Sequence, residues 1–249
     1  MKTIFFLAAV LGLCGSAAAQ AFTCPSGTED MLNYFVMAYP NRVDRYMGPG
    51  NANPIYSSIN PELQSVFAAQ GYFVWTKSVN GYPWDVKTFD SNYVYDRSTE
   101  LNWTDPSSFK RFNADLPMSP RCVPANRASR NIHITPTQSA FTFYNSCTPQ
   151  QTSNLGYVVN SITKPALTNT GGSLGQVKTR QFKYQYGCDL NYSNCTDMEV
   201  FSLGYQIGLY DWKHYIAQSG SWVMQQESII NNFSLGQTTP MFMCTNTYQ

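Results

Sequence analysis

The 249-residue chain carries 16 basic and 15 acidic residues, a formal net charge of +1, which provides no global field for holding nucleic acid or an anionic membrane. Charged residues make up only 12% of the chain and aromatics 15%, so much of the surface must be built from Asn, Gln, Ser, Thr and Tyr. Lys2, the apolar run over residues 4–13 and Ala17-Ala18-Ala19 form the pattern of a secretory signal, which predicts cleavage after Ala19. That run is ten residues long, half of the ~20 needed to span a bilayer, and no later stretch comes closer. Membrane insertion is not expected, and the roughly 230 residues from position 20 onward suit one domain of a β-sandwich or barrel kind.

Beyond the leader remain Cys24, Cys122, Cys147, Cys188, Cys195 and Cys244, an even set that reads as up to three disulfides in a secreted chain. Six cysteines allow fifteen pairings, but Cys188 and Cys195 flank one short polar loop and are the easiest to join. Closing that loop is worth about 2.5 kcal/mol in the chain-entropy model. With no C-x-x-C pair and only His133 and His214 as histidines, neither a metal site nor a cofactor is expected. Asn102, Asn191, Asn194 and Asn232 stand in N-x-S/T sequons, which belong on exposed loops or strand ends of a glycoprotein.

In chain order, residues 20–71 read as a helical and irregular cap. Thr28 is placed to cap a helix over residues 29–37, and Asn60-Pro61-Glu62 looks like a second helix start. From residue 72 the period becomes two. Residues 72–79 and 84–89 around Asn80-Gly81 predict a hairpin, and residues 93–100 after Asp90-Ser91-Asn92 extend it into a meander. Residues 104–130, rich in proline and carrying Lys110, Arg111, Arg121, Arg127 and Arg130, predict a long surface crossing. Short strands follow at 131–135, 140–144, 156–162 and 177–186, with the Gly-rich turn 171–175 between the last two.

The most informative stretch is 198–230. Phe201, Leu203, Tyr205, Ile207 and Leu209 alternate as a core-facing strand, whereas Ser202, Gly204, Gln206 and Gly208 give way to Tyr210, Trp212 and His214 as an aromatic shelf on the opposite face. Gln218-Ser219-Gly220-Ser221 predicts a hairpin turn, and residues 222–230 return as a second strand. With a last short strand at 241–244, the count is roughly ten. The fold expected is a mainly β, antiparallel, disulfide-stapled sandwich of jelly-roll-like form.

Gly171-Gly172-Ser173-Leu174-Gly175 matches G-x-S-x-G, and the order of Ser173, a following aspartate and His214 resembles α/β-hydrolases. A nucleophile elbow needs an apolar strand before the serine and a helix after it, whereas both flanks here are patterned as strands. The motif therefore reads as a glycine turn.

Asp197-Met198-Glu199-Val200-Phe201 places two carboxylates on one strand face about 6.5 to 7 Å apart, a spacing suited to acid/base work on a glycosidic bond. It resembles the acidic strand motif of laminarinase-type glycoside hydrolases, without that motif's third acidic residue, and the resemblance implies acid/base roles for Asp197 and Glu199 on a jelly-roll fold. Arg97-Ser98-Thr99-Glu100-Leu101 and Asn131-Ile132-His133 resemble strands of alginate-lyase-like jelly rolls. Sugar C–H faces lie against Trp and Tyr while amides and hydroxyls satisfy their hydroxyl groups. Gln206, Tyr210, Trp212, His214 and Gln225 supply that mixture, so a poly- or oligosaccharide is the expected partner. The function expected is a secreted glycan-binding protein, with a glycan-cleaving hydrolase or lyase, or a cell-surface or matrix interaction module, as alternatives.

Overall fold

The computed structural model describes residues 22–35, 42–47, 54–59, 75–79, 82–83, 85–100, 107–128, 130–169, 175–235 and 244. In chain order the first strands are β1 (Thr28–Asp30), β2 (Arg42–Met47), β3 (Pro54–Ile59), β4 (Trp75–Val79), β5 (Tyr82–Pro83), β6 (Asp85–Phe89), β7 (Tyr93–Glu100), β8 (Phe109–Pro120) and β9 (Cys122–Pro124). The later ones are β10 (Ile132–Ile134), β11 (Phe141–Asn145), β12 (Thr148–Ser153), β13 (Tyr157–Ile162), β14 (Ala166–Asn169), β15 (Gln176–Cys188), β16 (Asp197–Gly204), β17 (Gly208–Gln218) and β18 (Ser221–Leu235). Two single-turn helices, α1 (Leu32–Phe35) and α2 (Pro136–Ser139), complete the described residues.

These strands form three sheets. The largest runs β10-β13-β15-β16-β17-β18-β2-β3-β4-β5, with β14 beside β15; a second runs β12-β11-β8-β7-β6; β1 and β9 form a small ribbon. Every pairing is antiparallel. The two larger sheets meet through apolar side chains. Val94 of β7 and Met118 of β8 pack with Phe182, Leu203 and Leu209, and a second cluster joins Phe112, Leu116 and Phe141 to Ile134 and Val158. Three disulfides link Cys24–Cys122, Cys147–Cys244 and Cys188–Cys195, so the expected short-loop pairing is present. Among the described residues no helix is long and apolar enough to cross a membrane.

Several sequence expectations are corrected. Of the helix expected over residues 29–37, Thr28–Asp30 are instead held extended as β1 against β9, residues 32–35 form α1, and residues 36–37 lie outside the described residues. Asp30 fixes that geometry by accepting from Arg121 Nε at 2.5 Å and Nη2 at 2.7 Å, and the guanidinium is flanked by the Phe22 and Phe89 rings. A salt-bridged fork outweighs weak helix propensity in so short a segment. The helix start at 60–62 lies outside the described residues, as do the leader and Ser173. α2, by contrast, falls in the connection between the strands expected at 131–135 and 140–144. It carries proline at its first position, and the backbone N–H of Thr135 donates to Gln138 Oε1 at 3.3 Å, half of a capping box.

The expected surface crossing at 104–130 instead contains β8, the central strand of the second sheet. Phe109, Phe112, Leu116 and Met118 are buried there, and Pro117 is tolerated because the ladder skips a residue beside it: Val94 pairs with Ser119 and Tyr95 with Pro117. The meander is split. β4 and β5 pair across Asn80-Gly81 in the large sheet, whereas β6 and β7 pair in the second. Pro149 and the glutamines of the Thr/Gln-rich segment form the exposed edge strand β12.

The central hairpin differs most. The chain turns at residues 205–207, where Gln206 has φ 59° and its N–H donates to Asn33 O at 2.7 Å. The unbroken alternation from Phe201 to Leu209 is therefore two strands and a turn. Register then places Phe201 opposite Trp212 on one face, not on opposite faces. The predicted turn at Ser219-Gly220 is observed, with φ 49° and 79° as a two-residue antiparallel turn demands.

Candidate functional site

Three long neighbouring strands, β15, β16 and β17, build a grid of side chains on one face. Phe182, Phe201 and Trp212 form one row, and Tyr184, Glu199 and His214 form the next. Tyr186, Asp197 and Ile216 form the third. Alternation along each strand puts all nine on the same face. The first row closes against the core, where Phe182 is buried and Phe201 and Trp212 pack upon it. Toward the third row the face opens, and the side chains of His214 and Asp197 are 22% and 27% exposed.

Contacts across the grid are diagonal, as a right-handed sheet twist favours. Trp212 Nε1–H donates to Glu199 Oε2 at 2.8 Å. His214 Nε2 lies 3.1 Å from Asp197 Oδ1, and Thr196 Oγ1–H donates to Asp197 Oδ2 at 2.7 Å. The indole and imidazole planes are parallel to within 12° with centroids 6.4 Å apart. Burial pushes the Tyr186 hydroxyl well above its ordinary pKa, and the Glu199 and Asp197 carboxylates add to the shift, so the phenol stays protonated and hydrogen-bonds Glu199. Tyr184 is driven in the same direction by burial, then by Glu199 and Asp96, and its hydroxyl, shielded from solvent, has no hydrogen-bond partner among the described residues.

The structure thus unites Asp197, Glu199, Trp212 and His214. It also brings Gln225 alongside: His214 pairs with Gln226 and Tyr215 with Met224, which leaves Gln225 as the extra residue of a bulge, exposed beside His214. Gln206 does not join them, since it sits in the turn at the far end of the hairpin. Tyr210 does not either; it is 7% exposed at the bulge where Ser202 pairs with Asp211 and Leu203 with Leu209. The expected shelf of Tyr210 and Trp212 on a non-core face is therefore replaced by a cluster on the half-open end of the core face. Tyr184 and Tyr186 were not singled out from the sequence. Their signal was the alternation Phe182, Tyr184, Tyr186 in the strand before the hairpin.

Chemically, the cluster offers carboxylate acceptors, a protonated phenol, and indole and imidazole rings. Both carboxylates already have partners, Asp197 in Thr196 and His214, Glu199 in Trp212 and Tyr186. Arg97 and His133, the residues resembling alginate-lyase strands, stand on different sheets, with His133 stacked on Tyr192 at 4.3 Å. The G-x-S-x-G segment joins β14 to β15, which pair from Ala166 with Thr179 to Asn169 with Gln176, so its flanks are strands. No group of three or more His, Cys, Asp or Glu among the described residues is arranged to hold a metal ion. Comparison with protein-family models, curated proteins and solved structures gives no match to the chain.

Proposed function

We propose that the chain is a secreted, disulfide-stapled β-sandwich of jelly-roll-like form that binds an oligosaccharide at the Asp197, Glu199, Trp212, His214 and Tyr186 cluster. Apolar clusters shared by the two larger sheets support the layered reading, and three disulfides fit an oxidising compartment. One observation carries the functional part. Two carboxylates, a phenol and two parallel aromatic rings converge on a face that opens to solvent at its polar end. Carboxylate oxygens accept from sugar hydroxyls, and ring faces pack against sugar C–H groups.

Prior engagement of both carboxylates favours positioning and binding over proton transfer, so glycan cleavage is the second reading, kept because Asp197 and Glu199 stand two residues apart on one strand face. Passing the protein over a panel of immobilised neutral and acidic polysaccharides, scored for retention and for newly released reducing ends, tests both. Retention without released ends is the expected result. Released ends would make the cleavage reading the correct one, and neither signal on any polysaccharide would overturn the proposal in favour of an interaction module.

A further inference from the structure

A second site lies on the other sheet. At the hairpin of β11 and β12 lies a broad, shallow depression of about 680 Å³, most of it open to solvent. Among the described residues its wall holds no charged side chain: Phe143 and Tyr144 give it aromatic surface, and Asn145, Gln150 and Gln151 line it with amides. We propose that this cleft binds an uncharged oligosaccharide, independently of the Asp197 cluster.

Local construction points to a formed recess. Successive residues of a strand face opposite ways, yet Phe143 and Tyr144 both line the cleft. A bulge on the facing strand accompanies this: between the pairs Thr142–Thr152 and Tyr144–Pro149 the single Phe143 stands opposite both Gln150 and Gln151, which brings the two glutamines to the same recess. The Tyr144 ring is stacked on Phe109, centroids 4.6 Å apart and planes within 4°, and Phe109 is buried, so the phenol is held in one orientation. Phe143 is braced edge-on by Phe141 at 4.9 Å.

Polar groups are also aimed. Asn145 Oδ1 lies 3.4 Å from both Ser108 Oγ and Ser146 Oγ, which donate to it; this orients the amide and leaves its two N–H donors for a ligand. Gln150 Nε2–H donates to Thr148 O at 3.1 Å, which turns its carbonyl oxygen outward as an acceptor. The hairpin turn, Ser146-Cys147, has φ 49° and 58°, a left-handed conformation that residues other than glycine enter only at a cost. It is pinned by the Cys147–Cys244 disulfide and by Cys147 N–H donating to Ser107 O at 3.1 Å. The uncharged wall selects against phosphate, sulfate and cations, and donor-plus-acceptor amides beside ring faces match the alternating hydroxyl and C–H surfaces of a sugar.

Proton–nitrogen NMR of the 15N-labelled protein tests this, with cellohexaose, maltohexaose, mannohexaose and chitohexaose as neutral probes. A sulfated oligosaccharide and an alternating alanine-proline peptide serve as comparisons. At least one neutral hexasaccharide should shift the side-chain amide signals of Asn145 and Gln150 saturably. Tyr144→Ala, and separately the exposed pair Gln150→Ala with Gln151→Ala, should raise Kd roughly tenfold or more. The Trp212 indole N–H signal reports the other cluster, so binding there is read separately from binding here. The inference is overturned if no neutral probe shifts these amides at up to about 10 mM, or if the sulfated probe or the peptide does so instead. Unchanged affinity in the double glutamine variant would also overturn it, and that variant decides the matter if Tyr144→Ala does not fold.

Discussion

Replacing Glu29 by alanine should remove a large part of the stability of this protein, because of where Arg180 sits. The Arg180 side chain is fully buried in β15, and its Nε donates to Glu29 Oε1 at 2.7 Å, with Nη2 making a second bond to the same oxygen. Its remaining donors reach Thr163 O and Pro124 O, each at 2.8 Å, and Arg127 O at 3.3 Å. Without Glu29 the guanidinium keeps those carbonyls but loses its counter-charge, a situation that costs about 3–5 kcal/mol. Losing the 3.2 Å bond from the Tyr34 hydroxyl adds about 1 kcal/mol, whereas the Lys178 partner, 41% exposed, adds at most about 1 kcal/mol. The expected total of about 4–7 kcal/mol is a large fraction of the ~5–15 kcal/mol that holds an ordinary domain together.

Urea unfolding at pH 7 measures it. In Glu29→Ala combined with Arg180→Met no unpaired charge is left buried at this position, so the double variant should be more stable than Glu29→Ala alone. Burial raises the Glu29 pKa, but bonds from Lys178 and Arg180 outweigh it and hold the group below its ordinary 4.5. A depressed carboxyl contributes stability that is full above the unfolded value and is lost as pH falls through the folded one. The gap between wild type and Glu29→Ala should therefore be widest at neutral pH and shrink below pH 4.5. A loss below about 1 kcal/mol, or strictly additive single variants, would refute the reasoning.

Three further outcomes are expected. Gly187→Ala should destabilise distinctly more than Gly220→Ala: both have positive φ, +63° and +79°, but only at Gly187 would the new Cβ fall 2.2 Å from Thr196 Oγ1, so thermal melts of the two should differ in that order. The backbone part alone is about 1–2 kcal/mol at each position. Asp211 is pushed above its ordinary pKa by burial, against the pull of Lys213, so its ionised form is disfavoured in the fold. Asp211→Asn should then melt higher than wild type at pH 7, with the difference vanishing below pH 3.8; a lower melting temperature at pH 7 would contradict this. Expressed through a glycosylating secretory pathway, the protein should carry glycan at the exposed Asn191 and not at Asn194, whose Nδ2 donates to Asp189 Oδ2 at 2.7 Å inside the disulfide loop. Glycopeptide mass spectrometry reads both sites, and occupancy at Asn194 would contradict the geometry.

What was legible in the sequence was local. The Ser219-Gly220 turn, the short disulfide loop between Cys188 and Cys195, and the strand flanks of the glycine-rich segment follow from turn chemistry and a period of two. Bulges were not legible. Single extra residues at Gln150-Gln151, Tyr210 and Gln225 leave no compositional trace, yet each changes which neighbours share a face. Long-range pairing was equally hidden: Arg180 meets Glu29 across 151 residues, and Arg121 meets Asp30 across 91. Prolines masked β8 because a proline beside a bulge looks, in sequence, like a proline in a loop. Of the candidate site, Asp197 and Glu199 were placed correctly on one face, whereas Trp212 was assigned to the wrong one because the turn at 205–207 resets the alternation.

The proposed saccharide site is tested most directly by titration calorimetry with an oligosaccharide fragment of whichever polysaccharide the panel retains. Wild type is to be compared with Trp212→Ala, His214→Ala and Tyr210→Ala, each confirmed as folded by circular dichroism. Stacking at Trp212 predicts a loss of about 1–3 kcal/mol, roughly five- to over a hundredfold in Kd, with a smaller loss for the partly exposed His214. Tyr210, buried at the bulge, should lower stability and leave Kd unchanged. Unchanged affinity in both Trp212→Ala and His214→Ala, or a loss confined to Tyr210→Ala, would contradict the account.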